Sequence, residues 1–377
     1  MTKKKVIIAG AGLSGLTLAT ALAQRDWDVQ VFERSSQLRE VGAGLYTWEN
    51  GLKVLESIGV FDEASKNIEF ITNLDMIDNP YGRMHSTQFT NKNRFCVIPR
   101  QDVYKALVNA CKCAGVKVET NAETVSADPS GIIQLRDGRE YKADLIIGAD
   151  GVHSNIRSSL NIGRKEVVGN GAWRALIPRN DEDKTGIAEE HWNEYRRIGI
   201  APSTDKYRYV YLTGMTADKE ALSEPFNKKA WLSSFPHLES VLERITDCRL
   251  DKNFYYIYLN SWKKGRVALL GDAAHGMEPN LGQGAGVSIT SALELAIQLE
   301  RYDIDGALDN WEKVMKPAAD TTQMFSRIYG AAASNWPKEL LEIRPEIVSK
   351  AMGSNDIDLM ISTAARYVTG LNASVFI

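Results

Sequence analysis

Val267-Ala268-Leu269-Leu270-Gly271-Asp272-Ala273-Ala274-His275 runs straight into Gly276-Met277-Glu278-Pro279-Asn280-Leu281-Gly282-Gln283-Gly284-Ala285-Gly286, and this stretch decides how the rest of the chain is read. Residues 267–270 read as a short buried strand. Gly271 lets a ligand approach the backbone, and Asp272 offers a carboxylate to hydroxyl hydrogens. Gly282, Gly284 and Gly286 open a helix whose free N–H groups and positive dipole end face outward. That junction suits a ligand with several hydroxyls and one region that gains negative charge. A flavin has both, in its ribityl chain and its reduced ring. The alternative is a glycine-rich loop joining strand to helix, with His275 at the surface or in a cap.

The start of the chain favours the first reading. Residues 6–9 form a buried strand, Gly10-Ala11-Gly12-Leu13-Ser14-Gly15 completes a G-x-G-x-x-G turn, residues 16–25 a helix, and residues 29–32 a second strand ending at Glu33. Gly10 makes the tight turn, Gly12 leaves room for a pyrophosphate, and Gly15 lets the helix pack closely on the strand. The helix start holds phosphate, and Glu33 accepts from the ribose hydroxyls. The fingerprint fits either FAD or NAD, and the acid at Glu33 disfavours a 2′-phosphate.

Between these ends the chain changes character twice. Residues 38–46 carry the small-residue passage Val41-Gly42-Ala43-Gly44, which is either a close backbone approach to the cofactor or a simple loop. Residues 50–58 read as an amphipathic helix, and residues 71–97 alternate like a sheet, with turns at Asn79-Pro80 and Tyr81-Gly82. A helix over 99–114 begins at Arg100, which reaches the cofactor or is simply solvated. Residues 116–119 and a hairpin over 132–141 follow, and residues 143–149 return to a buried strand. Asp150-Gly151 then sits where open α/β sheets bind ligands, at a strand's C-terminal end. Residues 172–178 and 195–212 read as a second sheet, in which Arg196 and Arg197 point to opposite faces. A helix is expected over 228–242, carrying Trp231, Phe235 and Leu238 for packing. A long helix over 304–325 and a helical tail to 377 complete the chain.

Bulk composition narrows the class. The 377 residues are 25% charged and 44% hydrophobic, and the net charge of −3 points to neither nucleic acid nor an anionic membrane surface. No apolar run spans a bilayer and no leader is evident, so the cytoplasm is expected. The four cysteines form no disulfide framework and the five histidines show no metal-ligand spacing.

Three motifs in order carry a resemblance: the Gly10–Gly15 turn, Asp150-Gly151-x-x-Ser154-x-x-Arg157, and Gly271-Asp272. The chain resembles the class A flavoprotein aromatic hydroxylases, the p-hydroxybenzoate hydroxylase-like family. Ser35-Ser36-x-Leu38-Arg39, Gly42-Ala43-Gly44-x-Tyr46-x-Trp48-x-Asn50-Gly51, Gly271 to His275 and Gln283 to Gly286 look most like its pyridine-ring monooxygenases. Glu278 stands before Pro279, where this resemblance leads one to expect a small residue. The fold implied is α/β. It has a Rossmann-like FAD-binding domain of glutathione-reductase type (residues 1–72, 98–165 and 262–325), interleaved with a mixed β-sheet substrate domain (73–97 and 166–261), and a helical C-terminal segment (326–377).

The resemblance also implies tightly bound, non-covalent FAD and transient NAD(P)H, since only one nucleotide fingerprint is present. Reduced flavin then forms a C4a-hydroperoxide with dioxygen and hydroxylates a small aromatic or N-heteroaromatic ring such as a pyridine carboxylate, with ring opening possible. Gly10, Gly12, Leu13, Ser14, Gly15, Glu33, Arg34, Ala43, Gly44, Arg100, Val125, Asp150, Asp272, Gly284, Ala285 and Gly286 are its expected cofactor contacts. Pro279 is expected to wall the reacting site, Arg197 to meet an anionic substrate, and Tyr46 and Tyr209 to hydrogen-bond it. A solvated arginine and packing tyrosines are the alternative. A monomer or homodimer is expected, with no metal, nucleic acid or membrane partner. Two other functions are an FAD dehydrogenase or oxidase without oxygen insertion and a non-catalytic flavin-binding sensor.

Overall fold

A run of β-branched and leucine residues, fully buried from Val6 to Ala9 and again from Leu145 to Ile147, builds the centre of a six-stranded sheet. In the computed structural model, which describes residues 3–38, 42–79, 81–355, 357 and 363–366, its order is Lys263–Lys264, Val267–Leu269, Leu145–Gly148, Lys5–Ala9, Asp28–Phe32, Lys117–Glu119. All neighbours are parallel except the antiparallel edge pair Lys263–Lys264 and Val267–Leu269. Strands buried on both faces need helices on both sides, and this is the Rossmann-like arrangement. The helix after the first strand starts at Leu13, earlier than residue 16, because extended Gly12 already accepts from the Leu16 amide at 2.9 Å. Helices Leu13–Ala23 and Gly284–Arg301 are buried along most of their length. Arg39, Val41, Pro80 and most of the tail beyond residue 355, on which parts of the sequence reading fall, lie outside the described residues.

A second, seven-stranded mixed sheet has the order Arg249–Asp251, Asn170–Pro178, Tyr207–Met215, Arg196–Pro202, Ile187–Asn193, Asn73–Asp78, Gly82–Gln88. Alternation divides its residues cleanly. Trp173, Ala175, Ile177, Ile198, Ile200, Val210 and Leu212 pack against Trp231, Phe235, Leu238 and Leu242 on the outer side. Phe95–Pro99 pairs with Gly44–Trp48 in a separate two-stranded ladder.

Two further helices differ from the pattern reading. The helix expected over 228–242 is broken into Lys228–Ser234, a tight turn Pro236–Leu238 and Glu239–Glu243. Pro236 lacks an N–H and pushes Phe235 out of helical geometry, to φ −131° and ψ 63°. The long helix runs Ile304–Ser334, through Pro317 and across residue 325. Its last turns therefore reach the seven-stranded sheet, where Tyr329 meets Glu190. Beyond it lie Arg344–Met352 and the short helix Thr363–Arg366. The Ala364 carbonyl accepts from Asn50 Nδ2 at 2.9 Å, which ties the tail to the first layer. Among the described residues, no helix is long and apolar enough to cross a membrane, and no three His, Cys, Asp or Glu could hold a metal ion.

Candidate active site

A cavity of about 1000 Å³ runs between the two sheets, from the Gly10 turn to the inner face of the seven-stranded sheet. At its first end, Gly10 takes φ +100°, and a Cβ there would lie 2.4 Å from the Ala149 carbonyl oxygen. Gly15 is equally constrained, 2.2 Å from the Gly10 carbonyl oxygen. A Cβ on Gly12, in contrast, would meet no atom of the described residues within 4 Å. Protein packing does not demand that glycine; the open space beside it faces the cavity, where a phosphate would come close. The Glu33 carboxylate is fixed by the Ala11 and Ser35 amides, each 2.8 Å away. Carboxylate oxygens accept more than one hydrogen bond, which leaves capacity for ribose hydroxyls. Leu13, Ser14 and exposed Arg34 line the same end.

The middle of the cavity is made by two loops locked together. Asp150 Oδ2 accepts from the Ile156 amide at 3.1 Å, while its buried Oδ1 has no partner among the described residues. Burial pushes this carboxyl above its ordinary range, so a donor from a ligand would stabilise its ionised form. Buried Arg157 donates to the Val152 carbonyl at 2.8 Å and to the Ala273 carbonyl at 2.9 Å, so it bridges the Asp150 and Asp272 loops. Asp272, exposed into the cavity, follows Gly271 at φ +64°. Gly284 and Ala285, at the start of helix Gly284–Arg301, line the wall, as does Arg100 at the start of Arg100–Cys113.

These groups fit FAD: a turn open at Gly12, an anchored Glu33, an unsatisfied Asp150 oxygen, Asp272 and a helix start. Four expected contacts stand back from the wall. Gly15 packs on Gly10, and the Ala43 carbonyl accepts from the Arg100 amide at 2.9 Å. Gly286 packs against Asn50, and Val125 lies at the strand irregularity between Thr124 and Ser126. Gly44 does reach the wall, yet its lack of a side chain serves packing, since a Cβ would meet the Tyr209 ring at 2.6 Å. His275 is buried beside Trp262, with ring centroids 5.1 Å apart, and neither exposed nor lining.

Buried polar side chains line the far end. Arg197, 4% exposed, donates to Thr213 Oγ1 at 3.0 Å and Asn280 Oδ1 at 2.6 Å, and lies 3.6 Å from Glu190. Its neighbour Arg196 turns to the other face and pairs with Asp218 at 2.7 Å. Glu190 accepts from Trp192 Nε1 and the Tyr329 hydroxyl, both at 2.6 Å, and from the Tyr211 hydroxyl. Glu278 accepts from Asn170 at 2.9 Å, Tyr256 at 3.0 Å and Asn280 at 3.2 Å, so it is a fixed buried carboxylate. Pro279, Tyr46 and Tyr209 line the wall, with Tyr46 stacked on Phe95 at 5.2 Å. Burial raises the phenols of Tyr46, Tyr209, Tyr211 and Tyr329 above their ordinary value, which keeps them protonated.

Glu190, Tyr211, Asn280 and Tyr329 belong to this end of the cavity, and the sequence reading misses all four. Strand alternation from Tyr209 points to Tyr211, and Gly199 within an apolar strand signals a close approach. The partners Glu190 and Tyr329 come from cross-strand register and from helix packing, which no local pattern records.

Comparison with known proteins agrees with this geometry. The family described as FAD binding domain matches residues 3–307. The chain is 35% identical over 338 residues to a probable 2-heptyl-3-hydroxy-4(1H)-quinolone synthase of Rhodococcus erythropolis, covering 86% of this chain and 88% of that one. It is 34% identical to the 2-heptyl-3-hydroxy-4(1H)-quinolone synthase of Mycobacteroides abscessus, covering 86% and 90%. Its fold superposes on a crystal structure of 2-methyl-3-hydroxypyridine-5-carboxylic acid oxygenase with a TM-score of 0.86, at 32% identity and 97% coverage of both chains.

Proposed function

Because this chain belongs to the FAD binding domain family and is a flavin-dependent monooxygenase, we propose that it uses NAD(P)H and dioxygen to hydroxylate a neutral N-heteroaromatic ring of the 4-quinolone kind. FAD, when bound, supplies the redox chemistry, taking electrons from the nicotinamide and activating dioxygen. The protein supplies the rest. Glu33 and the Gly10 to Ser14 turn would hold the nucleotide end, Asp150 and Asp272 the middle, and the start of helix Gly284–Arg301 would stabilise negative charge on the reduced ring. A substrate filling the far end among these buried side chains would exclude water from the reacting atoms.

The pairing of Arg197 carries the choice of a neutral ring. Thr213, Asn280 and Glu190 already engage this guanidinium, and Glu278 is held next to Asn280. A substrate carboxylate would have to displace one of them or stand beside two buried carboxylates, and an unpaired buried charge is costly. A neutral ring binds without breaking the pair. The relatives named for making a quinolone support the same class. Trp48, Leu74, Met76, Phe89 and Phe95 make part of the lining apolar and would serve as an arm for an alkyl chain on the ring. A pyridine carboxylate is the second reading, favoured by the likeness to the hydroxypyridine-carboxylate oxygenase.

Stopped-flow reduction of the purified flavoprotein by NADH and by NADPH tests this. The additives are 2-alkyl-4-quinolones, hydroxypyridine carboxylates and hydroxybenzoates. We expect a neutral quinolone to speed reduction by at least about tenfold and to be recovered hydroxylated. Acceleration by carboxylates alone selects the second reading. Peroxide without hydroxylated product selects a dehydrogenase or oxidase, and one slow rate whatever is added selects a sensor. Light scattering on the same sample tests our expectation of a monomer or homodimer.

A further inference from the structure

The inner face of the seven-stranded sheet fixes the direction of its hydrogen bonds. Register aligns Tyr211 with Gly199 and Gly199 with Glu190, so the three share one row across three strands. The Tyr211 ring crosses above Gly199 to reach Glu190 Oε2, and Tyr329 arrives from helix Ile304–Ser334 to reach Oε1 at 2.6 Å. Glu190, Tyr211 and Tyr329 all line the cavity. A carboxylate only accepts, and a phenol has a single hydrogen. Glu190 takes the Tyr211 hydrogen and is the nearer acceptor for that of Tyr329, with Met76 Sδ farther off at 3.8 Å, so lone pairs are what the two tyrosine oxygens have left to offer.

We propose that Glu190 makes this end of the cavity a reader of hydrogen-bond donors, admitting a ring that offers an N–H or O–H to Tyr211 and Tyr329. The inference rests on the ring-binding role given above to this cavity. A ring that places an acceptor or a methyl group there leaves the tyrosine oxygens buried and unmatched, and sites built on polar pairing discriminate strongly against such analogues. Specificity thus resides in a residue that orients the tyrosines. Arg197 is donor-only and cannot replace their lone pairs. Its buried Nη1 lies 3.6 Å from Glu190 and makes no hydrogen bond among the described residues.

The test uses the FAD-loaded full chain and reads binding from the flavin difference spectrum, with no turnover needed. The probes are 2-heptyl-4-quinolone, which carries a ring N–H, and its N-methyl derivative. Wild type is expected to bind the N–H compound at least about tenfold more tightly. In Glu190→Gln the amide N–H₂ can donate to one tyrosine and turn that hydroxyl's hydrogen toward the cavity, so the preference should shrink to about threefold or less. A methyl group excluded by bulk alone would stay excluded in Glu190→Gln, and that result overturns the proposal. Equal binding of both probes by wild type overturns it as well. Failure of both probes to bind wild type instead removes the ring-binding reading beneath it. Tyr329→Phe, which deletes one acceptor and leaves Glu190 in place, should lower the preference by a smaller factor, and an unchanged preference in both variants counts against the idea.

Discussion

The Tyr211 ring occupies the space that a side chain on Gly199 would fill: a Cβ there would stand 2.0 Å from Cε1 and Cζ of the ring. Gly199 is thus what allows Tyr211 to lie across its strand and reach Glu190. Gly199→Ala should push the ring off its carboxylate partner. Overpacking of this kind costs about 1–3 kcal/mol. We expect a lower denaturation midpoint in urea, together with a loss of quinolone affinity and unchanged FAD content. A variant that binds ring compounds as wild type does would show that the Tyr211 position is unimportant.

Arg157 holds two cofactor loops together with a single side chain, through the Val152 and Ala273 carbonyls. Lysine keeps the charge but lacks the planar fork that reaches both oxygens. FAD dissociation, followed by the fluorescence of released flavin, should be at least about tenfold more favourable in Arg157→Lys and greater still in Arg157→Ala. Equal FAD affinity in Arg157→Lys would mean that charge alone is sufficient.

Features set by near neighbours in the chain are legible in the sequence. The Gly10 turn and Glu33 belong to one strand–helix–strand unit, and the side of the sheet that Arg197 occupies follows from alternation alone. The surroundings of Arg197 are not legible there. Its partner Glu190 lies on the adjacent strand, whose other neighbour is Asn73–Asp78 from far earlier in the chain. Tyr329 depends on how far a helix continues past Pro317, and Asn280 on a turn after Pro279. An arginine expected to await an anion is already paired because strand order and helix length, neither of them a local property, bring acceptors to it.

His275 links stability to pH. Burial pushes its imidazole down to about 4, against 6.5 for the unperturbed group. Between these values the unfolded chain binds the extra proton, so the stabilising contribution is complete above pH 6.5 and is lost as pH falls toward 4. At about pH 5 the loss amounts to roughly 2 kcal/mol. His191, also pushed down to about 4 by burial, adds to the same slope. Urea midpoints at about pH 7.5 and pH 5 should therefore differ. The difference should shrink in His275→Leu, since neither ring nitrogen has a hydrogen-bond partner to lose among the described residues. An undiminished slope in that variant would place the acid sensitivity elsewhere.

The apolar arm makes a prediction about chain length. Trp48, Phe89 and Phe95 form one aromatic cluster, with centroids 4.4 Å apart for Trp48 and Phe95 and 4.7 Å for Phe89 and Phe95. Leu74 packs with this cluster, and Met76, two residues farther along strand Asn73–Asp78, packs with Trp192 and also lines the cavity. Each buried methylene contributes about 0.8 kcal/mol, close to fourfold in affinity. Across 2-methyl-, 2-propyl-, 2-pentyl- and 2-heptyl-4-quinolone, affinity for the FAD-loaded protein should climb by about that factor per carbon until the arm is full, then level off. Met76→Gln keeps the length of the side chain but puts an amide in the arm. Its buried polar group must be desolvated or shielded by the alkyl chain, so the gradient should flatten, with a smaller loss for the 2-methyl compound because Met76 Sδ also lies 3.8 Å from the Tyr329 hydroxyl. A gradient that is flat in the wild type would mean that the chain lies outside the arm, in solvent. A uniform loss across the series in Met76→Gln would mean instead that the substitution disturbs the ring site itself.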